Sequence, residues 1–134
     1  MSISKNIIDL LLILCKAIKQ RRIISFDFES DRGYTALREI KPYMIYVNDR
    51  EEIKVVGLPR ELWKAPMLDR QPRHYLLDKI DLKQLVVMSK IFNDPGVRRD
   101  IVENTKVVRV ICRFIYDDEN EEEVRASWIK LEDL

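Results

Sequence analysis

The single histidine, His74, and the two cysteines, Cys15 and Cys112, are the side chains of this sequence with most capacity for nucleophilic or metal chemistry. A Ser-His-Asp or Cys-His centre would have to use His74 as its base. It stands beside Arg73 and two residues before Leu76 in an alternating stretch, the setting of a polar residue on a strand surface. Cys15 and Cys112 lie far apart and share no redox or zinc spacing, so both read as buried thiols in a reducing cytosol and not as a disulfide framework. Acidic residues crowd Asp117, Asp118 and Glu121 to Glu123, but the spacing and central glycine of a calcium loop are missing, which leaves a solvated turn. Three glycines in the whole chain leave little room for a phosphate-cradling or dinucleotide loop. The expectation is a protein without catalysis, metal or cofactor.

Composition sets the frame for any remaining function. A chain of 134 residues, 46% hydrophobic and 35% charged, has the size and balance of one soluble domain and is too apolar for disorder. Its 24 basic and 23 acidic residues leave a net charge of +1, so a nucleic-acid or acidic partner would have to meet a local patch. The run Ile7 to Cys15 has the outline of a lipoprotein leader, but Asp9 interrupts it and bulky Leu14 stands where cleavage wants a small residue. No stretch approaches the roughly 18 to 20 apolar residues that span a bilayer. A cytoplasmic protein with no membrane partner is expected.

The elements follow from period. Ile7, Leu10, Leu11, Leu14 and Ile18 recur at helical spacing and predict a helix over Ser4 to Arg22, with Ser2 or Ser4 as N-cap. Ile8, Leu12 and Cys15 widen its apolar face, so it could touch a second surface, such as a partner subunit. Ile24, Phe26 and Phe28 then alternate with polar residues, and Asp31-Arg32-Gly33 marks a turn. Leu37 to Val47 is a second strand, bulged, bent or at an edge because Pro42 lies inside it. Asn48-Asp49 turns the chain into a third strand, Glu52 to Leu58, and a longer polar connection, Pro59 to Pro72, could act as a lid. Strands Arg73 to Ile80 and Leu82 to Met88 complete five, the pattern of a small barrel or strongly bent sheet. After Asn93-Asp94-Pro95-Gly96 a short connector helix, Val97 to Glu103, leads to a terminal β-hairpin of Lys106 to Tyr116 and Glu122 to Trp128. No internal repeat is present.

These elements resemble the WYL domain family from about Ile8 to Phe92. Arg21-Arg22 and Phe26-Asp27-Phe28 match the basic helix end and aromatic first strand of that family, and Arg38-Glu39-Ile40-Lys41-Pro42-Tyr43 its arginine, aliphatic, proline segment. The strongest match is Arg73-His74-Tyr75-Leu76-Leu77-Asp78-Lys79-Ile80, the arginine-led strand. The name-giving tripeptide falls on Ile53-Lys54-Val55, and Leu76 stands where a second basic residue is often found. The resemblance implies an α+β, mainly β fold: an N-terminal helix, an SH3-like or Sm-like five-stranded barrel, and here a C-terminal hairpin extension. Residues 1–92 would form helix and barrel, and 93–134 connector and extension of the same compact unit.

The family is associated with regulatory modules that sense nucleotides or nucleic acid, often beside a winged helix. The roughly 22 residues before the first strand are too few for that DNA-reading module, so a stand-alone copy is expected. On this reading Arg38, Lys54 and Arg73 converge on an anionic ligand, a nucleotide or a single strand. Guanidinium forks suit phosphate, and Tyr43, Tyr46 and Tyr75 offer stacking faces. The alternative is a protein-interaction or homodimerisation module that has lost its ligand site.

Overall fold

The structure, a computed structural model, describes residues 4–30, 32–103 and 109–134. Helix α1 runs Lys5–Lys19, and Ser4 caps it by accepting the Ile7 N–H at 3.3 Å. Ser2, the other expected cap, lies outside the described residues. Leu10, Leu11, Leu14, Ala17 and Ile18 are buried along one stripe, while Leu12 stays 54% exposed. The helix stops because Arg21 adopts a left-handed conformation, φ 58°, unusual without glycine. Tertiary contacts hold it there: its Nη2 donates to Ile115 O at 3.1 Å and to Asp117 Oδ1 at 2.7 Å, and its guanidinium lies 4.6 Å from the Phe114 ring centre.

Strands β1 (Arg22–Glu29), β2 (Thr35–Val47) and β3 (Ile53–Pro59) form an antiparallel meander. Gly33, φ 81°, supplies the left-handed residue of the first turn; Asp31 lies outside the described residues. Asn48 Oδ1 builds the second turn by accepting the Arg50 and Glu52 N–H groups at 3.0 and 2.8 Å. The register of β2 on β3 slips between Pro42 and Met44, so the expected bulge is present. It brings the β2 backbone so close that a Cβ on Gly57 would lie 2.9 Å from Pro42 Cα.

Strand β4 (Arg73–Leu76) pairs with β3 and β5 (Val86–Ile91) with β1, giving the order β4-β3-β2-β1-β5. The expected fourth strand is cut short at Leu76 by a 3₁₀ turn, Leu77–Lys79, although Ile80 still bridges Phe28. Likewise Leu82–Gln84 is a 3₁₀ turn capped by Asp81 and not strand. The sheet does not close: β4 and β5 remain its two edges, which corrects the expected barrel to an open sheet.

The C-terminal part departs furthest from expectation. After α2 (Arg99–Glu103), strand β6 (Arg109–Arg113) pairs with Met44 to Val47 of β2, continuing the edge on which β1 pairs with the first half of that strand. Lys106 to Val108 of the expected strand lie outside the described residues. No hairpin follows. Residues expected as its second strand form helix α3 (Glu121–Ala126), because Asn120 caps it by accepting the Glu123 N–H and Glu121 to Glu123 meet the positive helix end.

Helix α1 packs on β1, β2 and β6. Leu11, Leu14, Ile24, Phe26, Ile40 and Phe114 are buried in this one core. The packing of α1 on β6 brings Cys15 and Cys112 to a Cα separation of 5.9 Å, and they form a disulfide across 97 residues of chain. That corrects the reading of two free thiols: neighbours that no spacing rule links are made adjacent by the fold. Among the described residues no helix is long and apolar enough to cross a membrane.

Candidate functional site

The bulge at Pro42 decides which expected site residues meet. Before it, Arg38, Ile40 and Pro42 share a face with Phe26 and Gly57; after it, Ile45 takes that face and Tyr46 turns to the other. Arg38, Arg73 and Tyr75 therefore lie on one face, and Lys54, Tyr46 and His74 on the opposite one.

On the first face Tyr75 is buried, edge-on to Phe26 at 5.3 Å and to Phe28 at 5.2 Å between ring centres. Burial pushes its phenol pKa up, and the positive charges of Arg73 and Arg38 pull against that. Arg38 lines a hollow of about 440 Å³ between β2 and the start of the connection after β3, together with Glu39, Arg60 and Glu61. Arg60 is held by Glu39 at 2.8 Å and Arg73 lies 3.6 Å from Glu61. Arg38 forms no ion pair among the described residues. Its Nε and the Tyr75 hydroxyl are buried without a hydrogen-bond partner. Two donors left this way cost stability unless something accepts from them.

On the second face Tyr46 pairs directly with Lys54 across the strands, and its hydroxyl meets His74 Nδ1 at 2.6 Å. Burial, and then the charge of Lys54, lowers the His74 pKa, which favours the neutral ring in this contact. Tyr43 is fully buried beside β6, where its carbonyl accepts the Phe114 N–H, and its ring offers no open stacking face. Among the described residues no three His, Cys, Asp or Glu side chains converge on a possible metal position.

A cavity of about 490 Å³ lies between the end of α1 and the segment after β6, with the disulfide in its wall. Its guanidiniums are already neutralised, Arg21 by Asp117, Arg113 by Glu119 and Arg125 by Glu121. The Arg113–Glu119 pair is bidentate, at 2.9 and 2.6 Å, and Glu119 also accepts the Tyr116 N–H. The Arg113 hydrogen bonds hold the Glu119 pKa below its ordinary value of 4.5. Because the folded pKa is the lower one, this stabilisation is complete above about pH 4.5 and fades as pH falls through the folded value. Glu119→Gln is expected to cost about 2 kcal/mol at neutral pH and to flatten the acid limb of a melting-temperature profile. An unchanged acid limb would show that another carboxylate sets it.

Fold and geometry together define an α+β domain: one N-terminal helix on an open antiparallel sheet, with an arginine-lined hollow at the β2–β3 end. Its structure is similar to part of Proteasome accessory factor B/C (PafBC) of Arthrobacter aurescens, with a TM-score of 0.53 and 17% sequence identity. The likeness covers 79% of this chain and 15% of that one, so this chain corresponds to a small part of the PafBC length. No protein-family profile and no curated protein matches the sequence.

Proposed function

We propose that the chain is a non-catalytic regulatory domain of the WYL type that binds a phosphate-bearing ligand, a nucleotide or a single-stranded nucleic acid, at the Arg38 hollow. The observation that carries this reading is the buried, unsatisfied Arg38 Nε in a hollow that also holds Arg60, with Arg73 and the unsatisfied Tyr75 hydroxyl on the same face of the sheet. An anionic acceptor in that hollow would satisfy Arg38 and take a guanidinium fork. The fold likeness to part of PafBC, which contains WYL domains, supports the same class.

The test is binding of labelled single-stranded RNA, single-stranded DNA and duplex at two salt concentrations, with free nucleotides as competitors. Arg38→Gln and Arg73→Gln should each weaken binding about tenfold, and wild-type affinity should fall steeply with salt. A folded protein that binds none of these at low salt would overturn the reading.

The exposed side of α1 favours a second reading, a homodimerisation module. Ile8, Leu12 and Ile13 are 37%, 54% and 38% exposed on one helix. A dimer on the sizing column with no ligand binding would favour it.

A further inference from the structure

A second cluster of positive charge lies on the face of β2 opposite Arg38. Lys41 stands three residues after Arg38, opposite Leu58, with no bulge between them, so its side chain leaves the other side of the sheet. There Lys41, Arg70 and Lys90 line a hollow of about 340 Å³ beside Trp63. These three cations come from three separate segments: the middle of β2, the connection after β3, and the edge strand β5. None forms a salt bridge among the described residues, whereas the arginines of the cavity beside the disulfide are paired off.

The hollow is also a built frame. Arg70 is fixed by donating from Nε to Ala65 O at 2.8 Å and from Nη1 to Gly96 O at 3.1 Å, which leaves Nη2 without a hydrogen-bond partner among the described residues. Trp63 is fixed by its indole N–H on Leu58 O at 2.9 Å, and Lys41 Nζ sits 4.9 Å from its ring centre. The one carboxylate in the lining, Asp94, is turned onto the backbone and accepts the Gly96 N–H at 2.7 Å. Gly96, φ 85°, keeps the wall low: a Cβ there would lie 2.8 Å from Leu58 Cδ2 and 3.9 Å from Lys41 Nζ. Like charges brought together at separated sequence positions, around a space, cost energy unless an anion enters.

We propose that Lys41, Arg70 and Lys90 form a second anion site, specific for a phosphoryl or pyrophosphoryl group of a small phosphorylated molecule and separate from the Arg38 hollow. Arg70 supplies a fixed donor and the two lysines mobile point charges, the division of labour that suits a compact, multiply charged oxyanion. Burial depresses the Lys41 pKa, with Arg70 and Lys90 adding to the effect and Asp94 opposing it, which is the state an incoming anion would relieve.

The test is calorimetric titration of the full chain with pyrophosphate at low salt, followed by inorganic phosphate and AMP. Wild type should bind pyrophosphate, and Lys41→Gln or Lys90→Glu should weaken it about tenfold or more, also in an Arg38→Gln background where the other proposed site is disabled. Lys90 is exposed, so Lys90→Glu tests charge without disturbing the core. Side-chain NMR of Lys41 should show its pKa rise when pyrophosphate is added, a response that a purely structural lysine would not give. Phosphate and AMP competing at the same lysines would identify the phosphoryl group as the recognised part, and AMP binding far tighter than both would add the base to it. No pyrophosphate binding, or binding that survives both lysine variants, would overturn the proposal. Loss in Arg38→Gln alone would overturn it as well and would leave the Arg38 reading standing.

Discussion

Replacing both cysteines, Cys15→Ala with Cys112→Ala, is expected to cost about 4 kcal/mol of stability and to lower the melting temperature by roughly 10 to 15 °C. The bond closes 97 residues of chain, so in the chain-entropy account its absence returns a large freedom to the unfolded ensemble. The folded side loses little by comparison: Cys112 is buried but small, and Cys15 is only half-buried. Melting curves of wild type with and without a dithiol reductant should differ by a similar interval, while the double variant should ignore the reductant. A wild type that titrates two free thiols before reduction and melts identically in both conditions would show that the bond does not form. The same thiol titration in extracts would show which redox compartment the protein occupies.

The second large effect separates the two sides of α1. Leu11 has no exposed surface, so Leu11→Asp removes a packed side chain and leaves a carboxylate with no partner among Leu14, Ile24 and their neighbours. The expected loss exceeds about 5 kcal/mol, comparable with the whole stability of an ordinary domain, and far-ultraviolet circular dichroism should show an unfolded chain. Leu12→Asp, one residue along at 54% exposure, should melt within about 0.5 kcal/mol of wild type. If α1 pairs with a second copy, the same variant should run as a monomer on a sizing column. A folded Leu11→Asp protein would mean that the helix does not sit on the sheet as described.

Helix α1, the first three strands and the Pro42 bulge were legible because each rests on a local signal: period, turn residues, a missing N–H. What the bulge does to side-chain direction was not. Strict alternation along β2 would place Tyr46 on the face of Arg38, and the single extra residue sends it to the other side, where Lys54 already lies by alternation along β3. The disulfide was illegible for a related reason, since it depends on where β6 docks, and nothing in Arg109–Arg113 names Met44 to Val47 as its partner. Helix α3 carried a readable signal: Asn120 followed three residues later by Glu123, with acidic residues in the first turn. The alternating reading of Glu122 to Trp128 outweighed it, although a run of glutamates gives poor strand residues and good helix starters. Arg38, opposite Phe26, and Arg73 and Tyr75, opposite Gly57 and Val55, share a face that strand alternation makes legible, whereas the Lys41 cluster draws on a strand, a long connection and an edge that have no common pattern.

The shared edge of β2 also orders the assembly of the chain. Its first half is covered by β1 across a short turn, and β3 follows across another, so this meander can close with small losses of chain entropy. Its second half must wait for β6, which arrives only after β3, β4, β5 and α2 have been traversed. Until then half of one edge of β2 is an uncapped template with free N–H and C=O groups, and Met44 to Val47 are the apolar residues that line it. The docking of β6 is therefore the step that caps this edge, and the chain supplies it only after every other strand of the sheet.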